Sequence, residues 1–242
     1  MNTKRIGKRT IELVSRPSLI GFASVAGKKE SQGPLACSFD YAAVDTSFGE
    51  KSWEKAESRM QKEALSRALD KANINASRLD FIFAGDLINQ CIASAYGMRE
   101  SGAPFMGLYG ACSTMAESLM LAAMAIDGGF ASYAAAVTSS HFASAERQYR
   151  FPLEYGGQRT PSAQWTVTGA GAAILGNGAS GPHIKRACPG KIVDFSIRDA
   201  NNMGAAMAPA VHVQTQPRTG GCAGRFYRDS IKVRGCLSTD GA

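Results

Sequence analysis

The sequence has no unbroken apolar run of 18 residues, so no helical membrane span is expected to organise it. The opening Met1-Asn2-Thr3-Lys4-Arg5 does not lead into the apolar stretch of a secretory leader. Histidine is scarce, at 3 of 242 residues. The 6 cysteines (Cys37, Cys91, Cys112, Cys188, Cys222 and Cys236) have no short ligand spacing, so no zinc or iron–sulfur pattern is present. Without a leader, the thiols are expected to be free, in a reducing compartment. No block of five or six like charges occurs, nor a basic helix interleaved with aromatics. Nucleic-acid binding is therefore not expected, although the formal charge is +7 and the pI about 9.2. That balance suits an anionic ligand or an anionic lipid surface. The TGAG piece, 168–171, is too short and wrongly flanked for a dinucleotide loop, which needs GxGxxG opening a helix. It reads as a glycine turn or bulge between two strands.

What is present is an alternation of elements. A hydrophobic content of 45% supports a substantial core, as one large domain or two modest ones. PSLIGFASVA, 17–26, reads as a strand of small residues, and 27–50 as a long loop. From Ser52, which can cap the first turn, Trp53, Ala56, Met60, Ala64, Leu65, Ala68 and Leu69 recur at helical spacing. Asn73 and Asn75 mark the exit. LDFIFAGD (79–86) reads as a strand buried on both faces, 89–99 as a helix, and APFMGLYG (103–110) as the next strand. A helix after Cys112, capped by Ser113 or Thr114, runs to Gly128-Gly129, and ASYAAAVTSS (131–140) is another strand. WTVTGAGAAILGNG, 165–178, suggests strand, glycine turn and strand, and 183–195 a final strand or pair. This order predicts an α/β fold with a mostly parallel or mixed sheet and packed helices. Residues 211–242 have no helical face and read as an irregular tail behind a domain of 1–210.

The chemistry concentrates at three strand ends. Cys112 follows a strand and opens a helix, where outward amides and the positive end of the helix dipole favour negative charge, including a thiolate. Gly110 and Ala111 leave room for a sharp turn. Asp86 ends the FIFAG strand, and Ser139-Ser140-His141 end the alanine-rich one. In a parallel sheet these ends would offer a carboxylate, a thiol and a hydroxyl–imidazole group to one crevice. Plainer readings stand beside this one: Cys112 as a small buried residue, Asp86 as a cap on the following turn, His141 as a surface loop residue. Acyl transfer through Cys112 would need an activating base and an oxyanion site, and His141 is the imidazole at hand.

GPLACSFD, FGEKSWEKAE, FIFAGDLINQ, GLYGACSTMAES, TSSHFASAERQYRFPLEYGGQRTP and WTVTGAGAAIL together resemble the stage V sporulation protein AD family of endospore-forming bacteria. The resemblance covers roughly residues 8–210. It implies the thiolase-like fold and a non-catalytic role: binding dipicolinate (pyridine-2,6-dicarboxylate) and supporting its uptake into the developing spore. It carries the family's binding aspartate and cysteine onto Asp86 and Cys112, and His141 occupies the TSSH position beside them. The implied partners are the membrane proteins of the sporulation dipicolinate channel, with peripheral attachment at the forespore or spore inner membrane and no resident cofactor. Dipicolinate is a small dianion, so an ionised Asp86 beside it requires a proton or a bridging cation, for which Ca²⁺ accompanying dipicolinate is the natural choice. A thiolase-like fold has two similar halves, and here the resemblance ends near Ala210. The expectation is therefore the N-terminal half only, with an apolar sheet face that invites self-association. The alternatives are acyl transfer through Cys112 and a defective truncated remnant.

Overall fold

The computed structural model describes residues 4–149, 166–178, 181–190, 194 and 196, in two compact units. The smaller contains β1 (Arg5–Ile6), β2 (Thr10–Glu12) and β9 (Arg186–Ala187), paired antiparallel in the order β1-β2-β9. Of the strand or pair expected over 183–195, the described residues carry β9 and a single bridge from His183 to Ser18 within the larger unit. The expected tail, 211–242, lies outside the described residues, as does the whole RFPLEYGGQRTP string, 150–161.

The larger unit, Leu13–Lys185, is built on six strands. They are β3 (Ser18–Ala26), β4 (Tyr41–Ala42), β5 (Phe81–Gly85), β6 (Phe105–Leu108), β7 (Tyr133–Ser140) and β8 (Gly169–Gly176), in the sheet order β4-β3-β8-β7-β5-β6. β5 is parallel to β6 and β7, while β8 runs antiparallel to both β7 and β3. The sheet is mixed because β8 enters between β7 and β3 in the opposite direction. The expected glycine turn at 168–171 is absent: Gly169, Ala170 and Gly171 lie inside β8, in register with Ala26, Val25 and Ser24 on one edge and with Ser140, Ser139 and Thr138 on the other. Pairing on both edges overrides the weak strand preference of glycine.

Helix α1 (Trp53–Ala72) is the most locally encoded element. Extended Ser52 accepts a hydrogen bond from the Lys55 amide at 3.3 Å, and Asn73 closes the helix in the left-handed conformation, at φ 54°. The stripe Ala56, Met60, Ala64, Leu65, Ala68 and Leu69 is buried with Val25, Ile82, Val137 and Ile174 of the sheet. Each fully buried Leu, Ile or Met here contributes roughly 1.5–3 kcal/mol relative to exposure. The helix sits very close to β3: a Cβ on Gly21 would lie 2.3 Å from the Ala68 carbonyl oxygen.

Helix α3 (Thr114–Asp127) covers the opposite face, with Ala122, Ala123 and Ile126 buried and Met115 lying over Gly171. Between them, α2 (Ile92–Met98) packs against α1. A helix not expected from the sequence, α4 (Phe142–Tyr149), follows β7 directly. Its Arg147 pairs with Glu54 of α1 and lies over the Trp53 ring, 5.7 Å from the centroid. Among the described residues no helix is long and apolar enough to cross a membrane.

Candidate functional site

Sheet register brings the three expected segments to one edge. Gly85 pairs with Leu108 of β6 on one side and Thr138 of β7 on the other, so β5 and β6 end side by side and β7 ends two residues further on. The three segments then behave differently.

Asp86 turns inward and is 2% exposed. One carboxylate oxygen accepts from the Ile88 amide at 2.8 Å; the other accepts from the Ser94 amide at 2.8 Å and the Ser94 hydroxyl at 2.6 Å. These bonds fold residues 86–94 into a tight loop in which Gln90 and Cys91 both take positive φ, 62° and 52°. Such backbone persists only where its surroundings fix it. Burial raises the Asp86 pKa, against the hydrogen bonds from Ser94 and Ile88. The Cys91 thiol is buried, donates to the Leu108 carbonyl at 3.0 Å, and has its pKa raised by burial and then by the Asp86 charge.

Cys112 is exposed, in a 3₁₀ turn (Ala111–Ser113) that leads into α3. Gly110 lets two side chains close over the turn: a Cβ there would lie 2.5 Å from the Glu117 carboxylate and 2.6 Å from the Ser113 hydroxyl, so both would have to move aside. The expected capping by Ser113 or Thr114 takes another form. Ser113 donates back to the Gly110 carbonyl at 2.7 Å, and Thr114 donates to the Ala111 carbonyl at 2.8 Å while accepting from the Gly110 amide at 3.2 Å. Both hydroxyls tighten the turn that presents Cys112, instead of capping the helix amides beyond it.

His141 is buried at 2% exposure. Its Nδ1 accepts from the Ala143 amide at 3.2 Å, which leaves Nε2 to donate to the Thr46 carbonyl at 2.8 Å. Burial lowers its pKa, so the ring is neutral. With both nitrogens engaged, His141 has no lone pair left to activate Cys112. Of the three groups expected to face one crevice, the structure exposes the thiol and buries the carboxylate and the imidazole.

Two networks escaped the sequence reading. Beneath the strand ends lies a buried chain of polar groups. Gln61 of α1 donates to Ser94 at 2.8 Å and Ser139 at 2.7 Å, with the Gly85 carbonyl at 3.3 Å from the same nitrogen. Ser94 donates to Asp86, and Ser139 to Glu57 at 2.8 Å. Ser144 donates to the other oxygen of Glu57 at 2.8 Å. Burial, with the Asp86 charge adding to it, raises the Glu57 pKa to about 7 against those two hydroxyls.

At the surface, Gln148 of α4 clamps Asn89 at two points: it accepts from the Asn89 amide at 2.9 Å and donates to the Asn89 side-chain oxygen at 2.9 Å. The Tyr109 hydroxyl donates to that same oxygen at 3.1 Å. Thus AGDLINQ, GLYGACST and AERQ, quoted above as separate strings, meet through one residue each. The only hint in the sequence was that all three strings sit at predicted strand ends.

Among the described residues no group of three or more His, Cys, Asp or Glu side chains could hold a metal ion. A shallow depression of about 380 Å³, lined by Asp80, Phe130, Tyr133 and Asn177, lies at the opposite ends of β5 and β7, away from these groups.

The structure is similar to the priming β-ketosynthase of the R1128 polyketide pathway (TM-score 0.45, 18% identity, 74% of this chain and 53% of that one). It is likewise similar to 3-oxoacyl-[acyl-carrier-protein] synthase III from Aquifex aeolicus VF5 (TM-score 0.44, 18% identity, 68% and 55%). Likeness at that level carries no argument about this chain. The sequence relationship does. The chain is 42% identical over 208 residues to the stage V sporulation protein AD of Bacillus subtilis (strain 168), covering 86% of this chain and 61% of the relative's length. The family model for stage V sporulation protein AD matches residues 7–218, beyond the residue-210 limit read from the motifs, and the chain belongs to that family, within the thiolase-like superfamily.

Proposed function

We propose that this chain binds dipicolinate at the strand-end edge around Cys112, and that it serves the uptake of this dianion into the developing spore without catalysing a reaction. Family membership carries the reading: a 42% identical relative whose name places it in stage V of sporulation. The geometry supports it. Cys112 is presented on an exposed turn at the start of the 14-residue α3, where open amides suit an anion. Asp86 and His141 belong to the same edge, the first beneath the loop beside it and the second behind the end of β7.

Ca²⁺ accompanying dipicolinate would draw its oxygen ligands chiefly from the dicarboxylate, because Asp86 has no solvent-facing edge. In this reading the described sheet and helices correspond to the first half of a thiolase-like fold. The membrane proteins of the sporulation channel hold the chain at the forespore or spore inner membrane, and its basic balance assists near anionic lipid. Exposed Phe105 and Met106 on the outer strand β6, with Ile92 and Tyr96 on neighbouring α2, support self-association.

Calorimetric titration with dipicolinate, run beside an acyl-transfer assay with short acyl-CoA substrates and mass measurement, tests the proposal. The expected result is saturable binding, weakened by Cys112→Ala and retained better by Cys112→Ser, with no turnover. A stoichiometric acyl adduct on Cys112 with turnover would replace it with the thiolase-like reading. A folded chain that does not bind dipicolinate would favour the defective remnant.

A further inference from the structure

We infer that Asp86 is a positioning residue of this site: it acts through the 86–94 loop on the edge that carries Cys112, and does not touch the ligand. Three observations carry this. First, the carboxylate is 2% exposed and both oxygens are occupied by Ile88 and Ser94, two and eight residues further along its own chain. A dianion reaching Asp86 would have to break those bonds and face a like charge. Second, the loop that Asp86 holds contains two consecutive non-glycine residues at positive φ, Gln90 and Cys91. Left without its three hydrogen bonds, that backbone relaxes toward ordinary conformations.

Third, the loop is hydrogen-bonded to both neighbouring segments. Asn89 lies within it and is clamped by Gln148 of α4, while the Tyr109 hydroxyl, three residues before Cys112, donates to the same Asn89 oxygen. Cys91, also within the loop, donates to the carbonyl of Leu108, the last residue of β6. The loop is thus fastened at two points to the segment that presents the thiol. Loss of Asp86 reaches Cys112 by that route. Ser94 and Gln148 join Asp86 as positioning residues, and the awkward encounter of two anions does not arise.

The inference rests on the dipicolinate reading only where ligand affinity is measured, so the test has two arms. Amide hydrogen exchange of the ligand-free full chain is compared for wild type, Asp86→Ala, Asp86→Asn, Ser94→Ala and Gln148→Ala. Asp86→Ala should speed exchange at 88–94 and 109–113 by at least tenfold, with the amides of β8 as slow as in wild type. Ser94→Ala should do so in part, and Gln148→Ala should loosen 87–89 and 109 while leaving 91–94 protected. Wild-type exchange over 86–113 in Asp86→Ala would overturn the inference whatever the ligand does. Should Asp86→Ala fail to fold, Ser94→Ala and Gln148→Ala decide it by the same criterion.

In the second arm, dipicolinate affinity should fall by a similar factor, about three- to tenfold, in Asp86→Asn and Ser94→Ala, equally with and without Ca²⁺. Tighter binding by Asp86→Asn, or a loss confined to Ca²⁺-containing buffer, would mean direct contact and overturn it. Failure of wild type to bind dipicolinate sinks the functional proposal and leaves the exchange result to decide this one.

Discussion

The buried carboxylates of Glu57 and Asp86, on α1 and at the end of β5, are linked through one amide. Gln61 donates to Ser139 and Ser94, and each serine hydroxyl in turn donates a hydrogen bond to one carboxylate, Ser139 to Glu57 and Ser94 to Asp86. The Gly85 carbonyl, 3.3 Å from the amide nitrogen, fixes which way the amide points. The relationship joins the helix covering the sheet to the loop beside Cys112.

Gln61 is fully buried, so its removal strands partners that water cannot reach. Gln61→Met keeps the volume but leaves the Gly85 carbonyl and both serines one donor short. A loss of about 1–3 kcal/mol is expected in denaturant unfolding. Gln61→Glu should be worse at pH 8, since it adds a third buried acid, and should recover toward Gln61→Met in acid. Equal stability of all three proteins at pH 8 would contradict the bonding described.

Glu57 makes stability depend on pH in the direction opposite to a salt-bridged carboxylate. Its folded pKa is raised to about 7 from an ordinary value of 4.5. Below pH 4.5 both folded and unfolded forms hold the proton, and the group costs nothing. As pH rises from 4.5 to 7 the unfolded chain ionises first, so stability falls. Above 7 the loss is complete, on the order of 3 kcal/mol. Subtracting a Glu57→Gln profile isolates this residue from Asp86 and His141: the difference should change across pH 4.5–7 and be flat above. A difference flat throughout would show that Glu57 does not titrate there.

Close approach of α1 to the sheet predicts sharply unequal glycine substitutions. Gly21→Ala would place a methyl 2.3 Å from the Ala68 carbonyl oxygen and 2.8 Å from Ala72, both on the helix. Helix and strand must separate, and a loss of about 3 kcal/mol or more is expected. Gly171→Ala lies in β8 with nothing nearer than 3.9 Å, from flexible Met115. It should change stability by less than about 1 kcal/mol, since alanine also orders the unfolded chain. Thermal melts of the two variants compare them directly.

Thiol labelling should distinguish Cys112 from Cys91. The first is exposed on its turn; the second is buried, bonded to Leu108 and held protonated by burial and the Asp86 charge. Peptide mapping after timed alkylation should find Cys112 labelled at least ten times faster, with dipicolinate slowing Cys112 alone. Rapid labelling of Cys91 in the wild type would mean that the loop opens freely.

Local rules made much of the scaffold legible. The period of α1, its Ser52 cap and its Asn73 stop depend on neighbours within four residues, so the sequence carries them openly. The same holds for the apolar runs of β5 and β7 and the turn-and-helix placement of Cys112. Strand structure near 169–176 was legible, but not its continuity through Gly169 and Gly171, because glycine and alanine are weak strand formers and only pairing with β3 and β7 decides their conformation.

At the site the division follows distance along the chain. The sequence by itself determined that Asp86, Cys112 and His141 end three strands, since each strand is read from its own residues. Which of them faces solvent was decided only by tertiary structure. Asp86 bonds Ser94, eight residues on, and His141 bonds Thr46, 95 residues back. Glu57 and Gln61 read locally as polar positions on a helix surface; Ser139 and Ser144, more than 70 residues away, turn that surface inward. A buried polar group is stable only with partners, and partners this distant exist only once the sheet has brought their segments together.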